Sequence, residues 1–335
     1  MKKTNCLLPV LLSLVLVALV SNAAFSAGDF PAQTIRIICP FSPGGGFDRQ
    51  ARGIAPYLQK HLPSKVSVIV ENVRGAGGLV AAHQVWSARP DGYTIYQSAV
   101  GPNMIDQFLN PDEIKFRMAE FEWIGQYRKD IRAIGIHPKL GVKSWQDFMA
   151  RSKKQSILFG TSGVGSPQAR EAQLIAAITG LNISMVHYQG SKDVQGGMAR
   201  GEIDATCINF NSLLRWGEDG KIFVLWDDER HALIPDVPTA MEAGVPKQQY
   251  QKIMSLPVVG TPRAFALPPG TPPGVVNILR DAFTAAMNDP DYKAWIKKAK
   301  EIYGPVIAGD NFGKSIKAMD LAIRENKELM QSIAK

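Results

Sequence analysis

The chain has 335 residues, 45% of them hydrophobic and 20% charged, with a formal net charge of +8. That balance excludes a disordered chain, and the length suggests about two domains with separate cores. Basic residues are scattered, with small clusters only at Lys153-Lys154 and Lys297-Lys298, so the chain lacks a basic stripe with interleaved aromatics, and nucleic acid is not expected as a partner.

The chain opens on Met1-Lys2-Lys3, then an apolar run over residues 7–20, then the small residues Ser21-Asn22-Ala23-Ala24-Phe25-Ser26-Ala27. This is the order of a secretory signal peptide, predicted over residues 1–27 with cuts after Ala23 or Ser26. The run is short for a membrane span, with an uncleaved anchor as the alternative, and no second long apolar segment follows, so a soluble periplasmic mature protein is expected. Cys6 lacks the small residues of a lipidation site around it. Cys39 and Cys207 fall in apolar strands and read as small core hydrophobes, with a disulfide between them left open.

Residues 35–39 read as a first strand, followed by Pro40-Phe41-Ser42-Pro43-Gly44-Gly45-Gly46 and a helix over 47–61. A second strand at 66–70 leads into Arg74-Gly75-Ala76-Gly77-Gly78 and a helix over 79–88. Pro90-Asp91-Gly92 is a turn before a third strand at 93–97. The alternation resumes after Ser144-Trp145-Gln146-Asp147, a capping box that opens a helix. A strand at 157–159 ends in Gly160-Thr161-Ser162-Gly163-Val164-Gly165-Ser166-Pro167, where Ser166 can cap a helix whose first residue is Pro167. Further strands are expected at 183–187 and 203–208, and the C-terminal region is helical, with an apolar stripe from Val275 to Met287. Strands alternating with helices predict a parallel sheet with helices on both faces.

Three glycine-rich loops thus follow strands, at Gly44 to Gly46, Gly75 to Gly78 and Gly160 to Ser166. Each exposes backbone N–H groups, and the helix start behind adds partial positive charge, which suits a carboxylate or phosphate. Ligands in this architecture bind outside strand C-termini. Enzyme motifs fail on spacing. Gly165 is followed by Ser166 where a P-loop needs Lys; Gly163-Val164-Gly165 lacks the third glycine of a dinucleotide fingerprint; Val164 stands where a serine-hydrolase elbow needs Gly. The five His are dispersed, so neither a metal nor another cofactor is expected. Asp48 sits in a first helical turn, where it either favours the helix dipole or faces a ligand. Asp204 either meets a ligand hydroxyl or amine or braces a loop. Tyr188 after its strand is a pocket-lining or a core residue. The expected carboxylate holder is the backbone near Gly45, with Arg49 and Arg52 playing no direct part.

Taken together, Pro40-Phe41-Ser42-Pro43-Gly44-Gly45-Gly46-Phe47-Asp48, Val70-Glu71-Asn72-Val73-Arg74-Gly75-Ala76-Gly77-Gly78, Pro90-Asp91-Gly92-Tyr93-Thr94, Tyr188-Gln189-Gly190 and Pro235-Asp236-Val237-Pro238-Thr239 resemble the signatures of the tripartite tricarboxylate transporter receptors, the Bug or TctC family. The resemblance runs from about Pro31 to the C-terminus. It implies a type II periplasmic binding protein fold of two α/β lobes joined by a hinge, with lobe 1 at 28–128 and 255–335 and lobe 2 at 129–254. It also implies a monomer that binds a small organic acid, performs no catalysis and delivers the acid to the membrane permease subunits. A receptor for a sensor kinase, or an exported enzyme on this fold, is the alternative. By the same resemblance the ligand-binding set is Phe41, Ser42, Gly45, Gly46, Asp48, Ala76, Ser98, Ser162, Gly163, Ser166, Tyr188, Gly190 and Asp204. The chain departs from the family at Gln189, where Lys is usual, and at Gln168-Ala169-Arg170, where small residues and His are commoner.

Overall fold

The structure, a computed structural model, describes residues 30–301 and 304–333. The expected leader and Cys6 lie outside them. Among the described residues eleven strands form two sheets, one ordered β11-β4-β10-β3-β1-β2 and the other β7-β6-β8-β5-β9.

In the first sheet β1 (Ile35–Cys39) pairs parallel with β2 (Val68–Asn72) and β3 (Thr94–Ala99). Three helices, α1 (Gly46–His61), α2 (Leu79–Trp86) and α3 (Val100–Leu109), follow these strands in turn. The chain then runs through β4 (Glu122–Lys129) and, after only Asp130 and Ile131, enters the second sheet as β5 (Arg132–Ile136). The series repeats there: α4 (Trp145–Lys154), β6 (Ile157–Thr161), α5 (Pro167–Thr179), β7 (Ile183–His187), α6 (Ser191–Ala199), β8 (Ala205–Asn209), α7 (Phe210–Trp216) and β9 (Lys221–Trp226). After α8 (Lys247–Met254) the chain returns to the first sheet as β10 (Pro262–Leu267). The C-terminal part adds α9 (Pro273–Asn288), α10 (Pro290–Lys298), β11 (Ile307–Ala308), α11 (Gly309–Glu325) and α12 (Lys327–Ser332).

The two sheets share one plan. β6 pairs parallel with β7 and β8, as β1 does with β2 and β3. In each sheet the strand beside that parallel trio is antiparallel and arrives from the other half: β10 on β3, and β5 on β8. Residues of β3, β5, β8 and β10 are buried throughout, as expected of central strands covered on both faces. Local signals place the helix starts. Ser144 accepts from the Asp147 N–H while Asp147 reaches back, completing the capping box, and Ser166 caps α5 by accepting from Ala169 N–H with Pro167 behind it. The apolar stripe of α9 packs Val275, Leu279, Ala282, Phe283 and Ala286 with Ile37, Ile95 and Phe265.

Cys39 is in β1 of one sheet and Cys207 in β8 of the other, both buried and free. No helix among the described residues is long and apolar enough to cross a membrane.

Candidate functional site

Parallel strands deliver their following loops to one edge of a sheet, and those edges of the two sheets face each other. The cleft between them is lined from the first sheet by Phe41, Ser42, Gly45, Gly46 and Phe47, and from the second by Ser162, Gln168, Gly190, Lys192 and Asn209 among others. Arg263 and Arg132 complete it. Both residues lie near the N-terminal ends of antiparallel strands, which place them beside the C-terminal ends of their parallel neighbours. Arg132 is registered opposite Asn209, and Arg263 opposite Ala99.

At the first loop, Gly45 N–H donates to Ser42 O at 3.2 Å and so closes the turn. The donors left without a protein acceptor are those of Gly46, Phe47 and Asp48, the first turn of α1. Asp48 does not face the cleft. It is buried and accepts from Gly44 N–H (2.8 Å), Arg52 Nε (2.9 Å) and Asn72 Nδ2 (2.9 Å), which fixes the loop from behind. Arg49 donates to Gly44 O at 2.8 Å and is likewise a brace.

The halves touch at the cleft mouth. Ser42 Oγ donates to Gln189 O at 3.1 Å. A Cβ on Gly190 would lie 2.8 Å from Ser42 Oγ, and one on Gly77 would lie 2.6 Å from the Gly165 carbonyl carbon. Ala76 and Gly77, with Gly163 and Tyr188, line a neighbouring groove of about 280 Å³ that shares Phe41 and Ser162 with the cleft. Tyr188 OH donates to Glu202 Oε2 at 3.0 Å.

Of the residues expected around a ligand, Phe41, Ser42, Gly45, Gly46, Ser162 and Gly190 meet in the cleft, and Ala76, Gly163 and Tyr188 stand in the groove beside it. Ser166 is the α5 cap. Ser98 is buried in β3, and Asp204 precedes β8, where its Oδ2 accepts from Leu158 N–H at 3.0 Å. A strand rises about 3.3 Å per residue, so the whole of β8 separates Asp204 from the cleft; Asn209, at the other end, is the residue that reaches it.

Under the cleft floor lies an ionic cluster at the point where the chain crosses between the sheets. Asp130 is buried and accepts from Arg263 Nε (2.9 Å) and Nη2 (2.6 Å), with Arg128 Nε at 2.8 Å and Arg132 Nη1 at 3.5 Å. Burial alone would raise its carboxyl, but the guanidinium groups of Arg263, Arg128 and Arg132 hold it below the usual range. Glu171 accepts from Arg132 Nε at 2.5 Å, and Glu301 pairs with Arg128 (2.7 Å), Arg215 (3.2 Å) and Arg49 (3.5 Å). Five arginines therefore surround three acids. Burial pushes the Glu171 carboxyl up to about 8. The Arg263 guanidinium also stacks 3.9 Å above the Phe47 ring.

Residues 50–309 match the tripartite tricarboxylate transporter family receptor. The chain belongs to this family. Its relatives include a UPF0065 protein of Bordetella pertussis, 30% identical over 286 residues that cover 82% of each chain. Among solved structures it resembles MatC of Rhodopseudomonas palustris with bound malate, at 22% identity and a TM-score of 0.73, covering 91% of this chain and 100% of that one. Rpa4515 of R. palustris with adipate is similar at 23% identity and a TM-score of 0.76, covering 91% and 99%. These likenesses establish the type II periplasmic binding protein fold, and the family is one of solute-binding receptors.

Arg132, Gln168, Lys192, Asn209 and Arg263 are cleft residues that reading the sequence did not single out. For Gln168 a signal was present, since it departs from the family pattern. For the two arginines there was none without the strand pairing.

Proposed function

We propose that this receptor captures a small organic acid in the cleft and delivers it unchanged to the permease subunits of a tripartite tricarboxylate transporter. The observation that carries this reading is the first turn of α1. Its N–H groups at Gly46 and Phe47 lack protein acceptors and belong to residues lining a cleft that also holds Arg132, Lys192 and Arg263 and no Asp or Glu. A carboxylate placed there would satisfy orphan donors and meet the positive end of the helix. The cleft encloses about 40 Å³, so a short acid suits it, admitted as the halves part. The malate and adipate of the two R. palustris proteins support a ligand of this chemistry.

The lining hydroxyls at Ser42, Ser162 and Ser191 have no lining histidine as a base, which favours binding over catalysis. The proposed lobes are 28–128 with 255–335, and 129–254, hinged where the chain crosses between sheets. The segment 1–27 supports export to the periplasm, where the receptor would act as a monomer.

Gly46→Pro tests the cradle. Proline is well tolerated at the first helical position, and the preceding Gly45 is already extended (φ −71°, ψ 171°), so the change removes one donor at little cost to the fold. Acid affinity, measured by calorimetry, should fall about ten- to a hundred-fold, because a hydrogen bond to a charged group contributes roughly 1.5–3 kcal/mol. Unchanged affinity for every acid that wild type binds would sink the cradle. Mass spectrometry of co-purified ligand then names the acid.

A further inference from the structure

We infer that the molecule carries a second ligand site, on the far side of the passage between the sheets, which takes a zwitterionic amino acid and thereby favours the closed cleft. The coupling rests on the proposed hinge at that passage; the site itself is separate from the acid cradle.

The sheet orders place it. The cleft lies at the ends of β1, β6 and β8. Past β3 and β10 in the first sheet come β4 and β11, and past β5 in the second comes β9. Lys129 closes β4, and Trp226, registered opposite Arg132, closes β9. Between those two strand ends is a pocket of about 400 Å³, within the roughly 300–1,000 Å³ of small-molecule sites. Gly260 and Gly304 wall it on the side of the first sheet, and Asp227, His231 and Met254 on the side of the second. Asp130 and Ile131, the passage itself, stand between it and the cleft.

The polar groups of this pocket are oriented and unspent. Trp226 is 1% exposed, and its indole Nε1–H is buried without an acceptor, a state that buried polar groups rarely keep. Leu233 N–H donates to His231 Nδ1 at 3.2 Å, so the neutral ring carries its proton on Nε2, free to donate. Lys129 adds an ammonium group. Against these three donors stands one available carboxylate. Asp227 Oδ1 accepts from Asp228 N–H at 3.0 Å, which leaves Oδ2 for a ligand. Burial holds the Asp227 carboxyl above its ordinary range, and Asp228 N–H, Lys129 and His231 offset this only in part. Asp130, the other acid in the lining, is already clasped by Arg128, Arg132 and Arg263. An under-compensated carboxylate beside three unused donors suits a ligand that is an anion at one end and an ammonium at the other. A plain acid would leave Asp227 facing its charge, and a plain amine would leave Trp226 and His231 unpaired.

Position supplies the coupling. The halves touch at the cleft mouth, where Ser42 meets Gln189, while the pocket beyond the passage stands open. Parting the cleft about that passage would bring the ends of β4 and β9 together. A molecule held between them therefore props the cleft shut, and by reciprocity a bound acid tightens the grip on the amino acid.

The receptor, labelled with nitrogen-15 tryptophan and dialysed free of acid, is titrated with glycine, L-serine, L-proline and L-leucine and followed by NMR. Trp226→Phe assigns the Trp226 indole signal. At least one amino acid should move that signal saturably, and its N-acetyl and carboxamide forms should bind at least about tenfold more weakly. Asp227→Asn still accepts Asp228 N–H, and His231→Asn still accepts Leu233 N–H. Each should lose at least about tenfold in amino-acid affinity with an unchanged melting temperature. Gly46→Pro, which disables the acid cradle, should bind the amino acid as the wild type does. Saturating amino acid alone should lower the radius of gyration in small-angle scattering. A Trp226 signal that none of the four moves, or capped forms that bind equally well, overturns the site. Amino-acid binding that is lost in Gly46→Pro and kept in Asp227→Asn places the amino acid in the cleft, which overturns this inference and leaves the acid receptor standing. A radius that stays the same or grows overturns the coupling.

Discussion

Glu171 is the residue whose chemistry reaches furthest. It is fully buried between Arg132 and Thr261, with the Cys207 thiol 4.0 Å away. Burial raises its carboxyl from an ordinary 4.5 to about 8, and raises the Cys207 thiol well above its own ordinary range, so the thiol stays neutral through this window. Because the folded state holds the Glu171 proton more tightly than the unfolded chain, the stability it contributes is complete below 4.5 and is lost as pH rises through about 8. Ionised Glu171 would also offset Arg132, so acid affinity should weaken over the upper part of the same range. Melting curves and calorimetry between pH 6 and 9 should show both declines in the wild type and flatter ones in Glu171→Gln. A wild-type melting temperature that climbs over this range, with no change in the variant, would contradict the assignment. At this scale the sequence was least legible. Asp204 drew notice as an acid near a strand, yet what matters is which strand end faces the cleft, and that belongs to Asn209.

Helix starts and turns were the most legible elements, because their signals are local. Ser144 with Asp147, Ser166 with Pro167, and the glycine runs each specify backbone geometry within four residues. The starts of β5 and β10, which reach the cleft, were opaque, since Arg132 and Arg263 line it only through antiparallel pairing with strands far away in sequence. The second glycine loop was legible as a turn but not in its use. Gly77 has φ +65°, and its Cα abuts the Gly165 and Val164 backbone of the opposite sheet, where an added Cβ would meet atoms at 2.6 and 2.8 Å. Backbone on the far side cannot swing away as a side chain can. Gly77→Ala should therefore oppose closing of the cleft. We expect a loss of at least about tenfold in acid affinity, against roughly 1–2 kcal/mol of local backbone strain without ligand. Small-angle scattering with saturating acid should show a larger radius of gyration than the wild type; identical closure and affinity would refute the steric argument.

Across the molecule, the family resemblance together with two strand–helix series predicted two α/β halves, and two sheets are present. The exchange of one strand each way was not visible in periodicity, which carries no pairing information. A second tie between the halves is equally non-local. Arg170 of α5 pairs with Asp106 of α3, both largely buried, and Arg170 Nη1 also donates to Ile333 O near the C-terminus at 3.4 Å. Removing one partner strands the other charge, so Asp106→Asn should cost about 3 kcal/mol in urea unfolding. The paired change Asp106→Leu with Arg170→Met should recover most of it, because a well-packed apolar pair replaces a buried ion pair at little cost. A double variant no more stable than the single would reject an electrostatic origin.

Asp130 lies in the two-residue passage between the sheets, and the arginines that clasp it include two that line the cleft. With the proposed lobes, the hinge and the floor of the cleft are the same handful of atoms. An acid bound there as proposed would need no relay to be felt at that hinge, for it would compete directly for the guanidinium groups that hold the passage in place. Occupancy and posture become one variable. Any substitution that retunes the floor for an acid of different charge must also reset how readily the two halves swing.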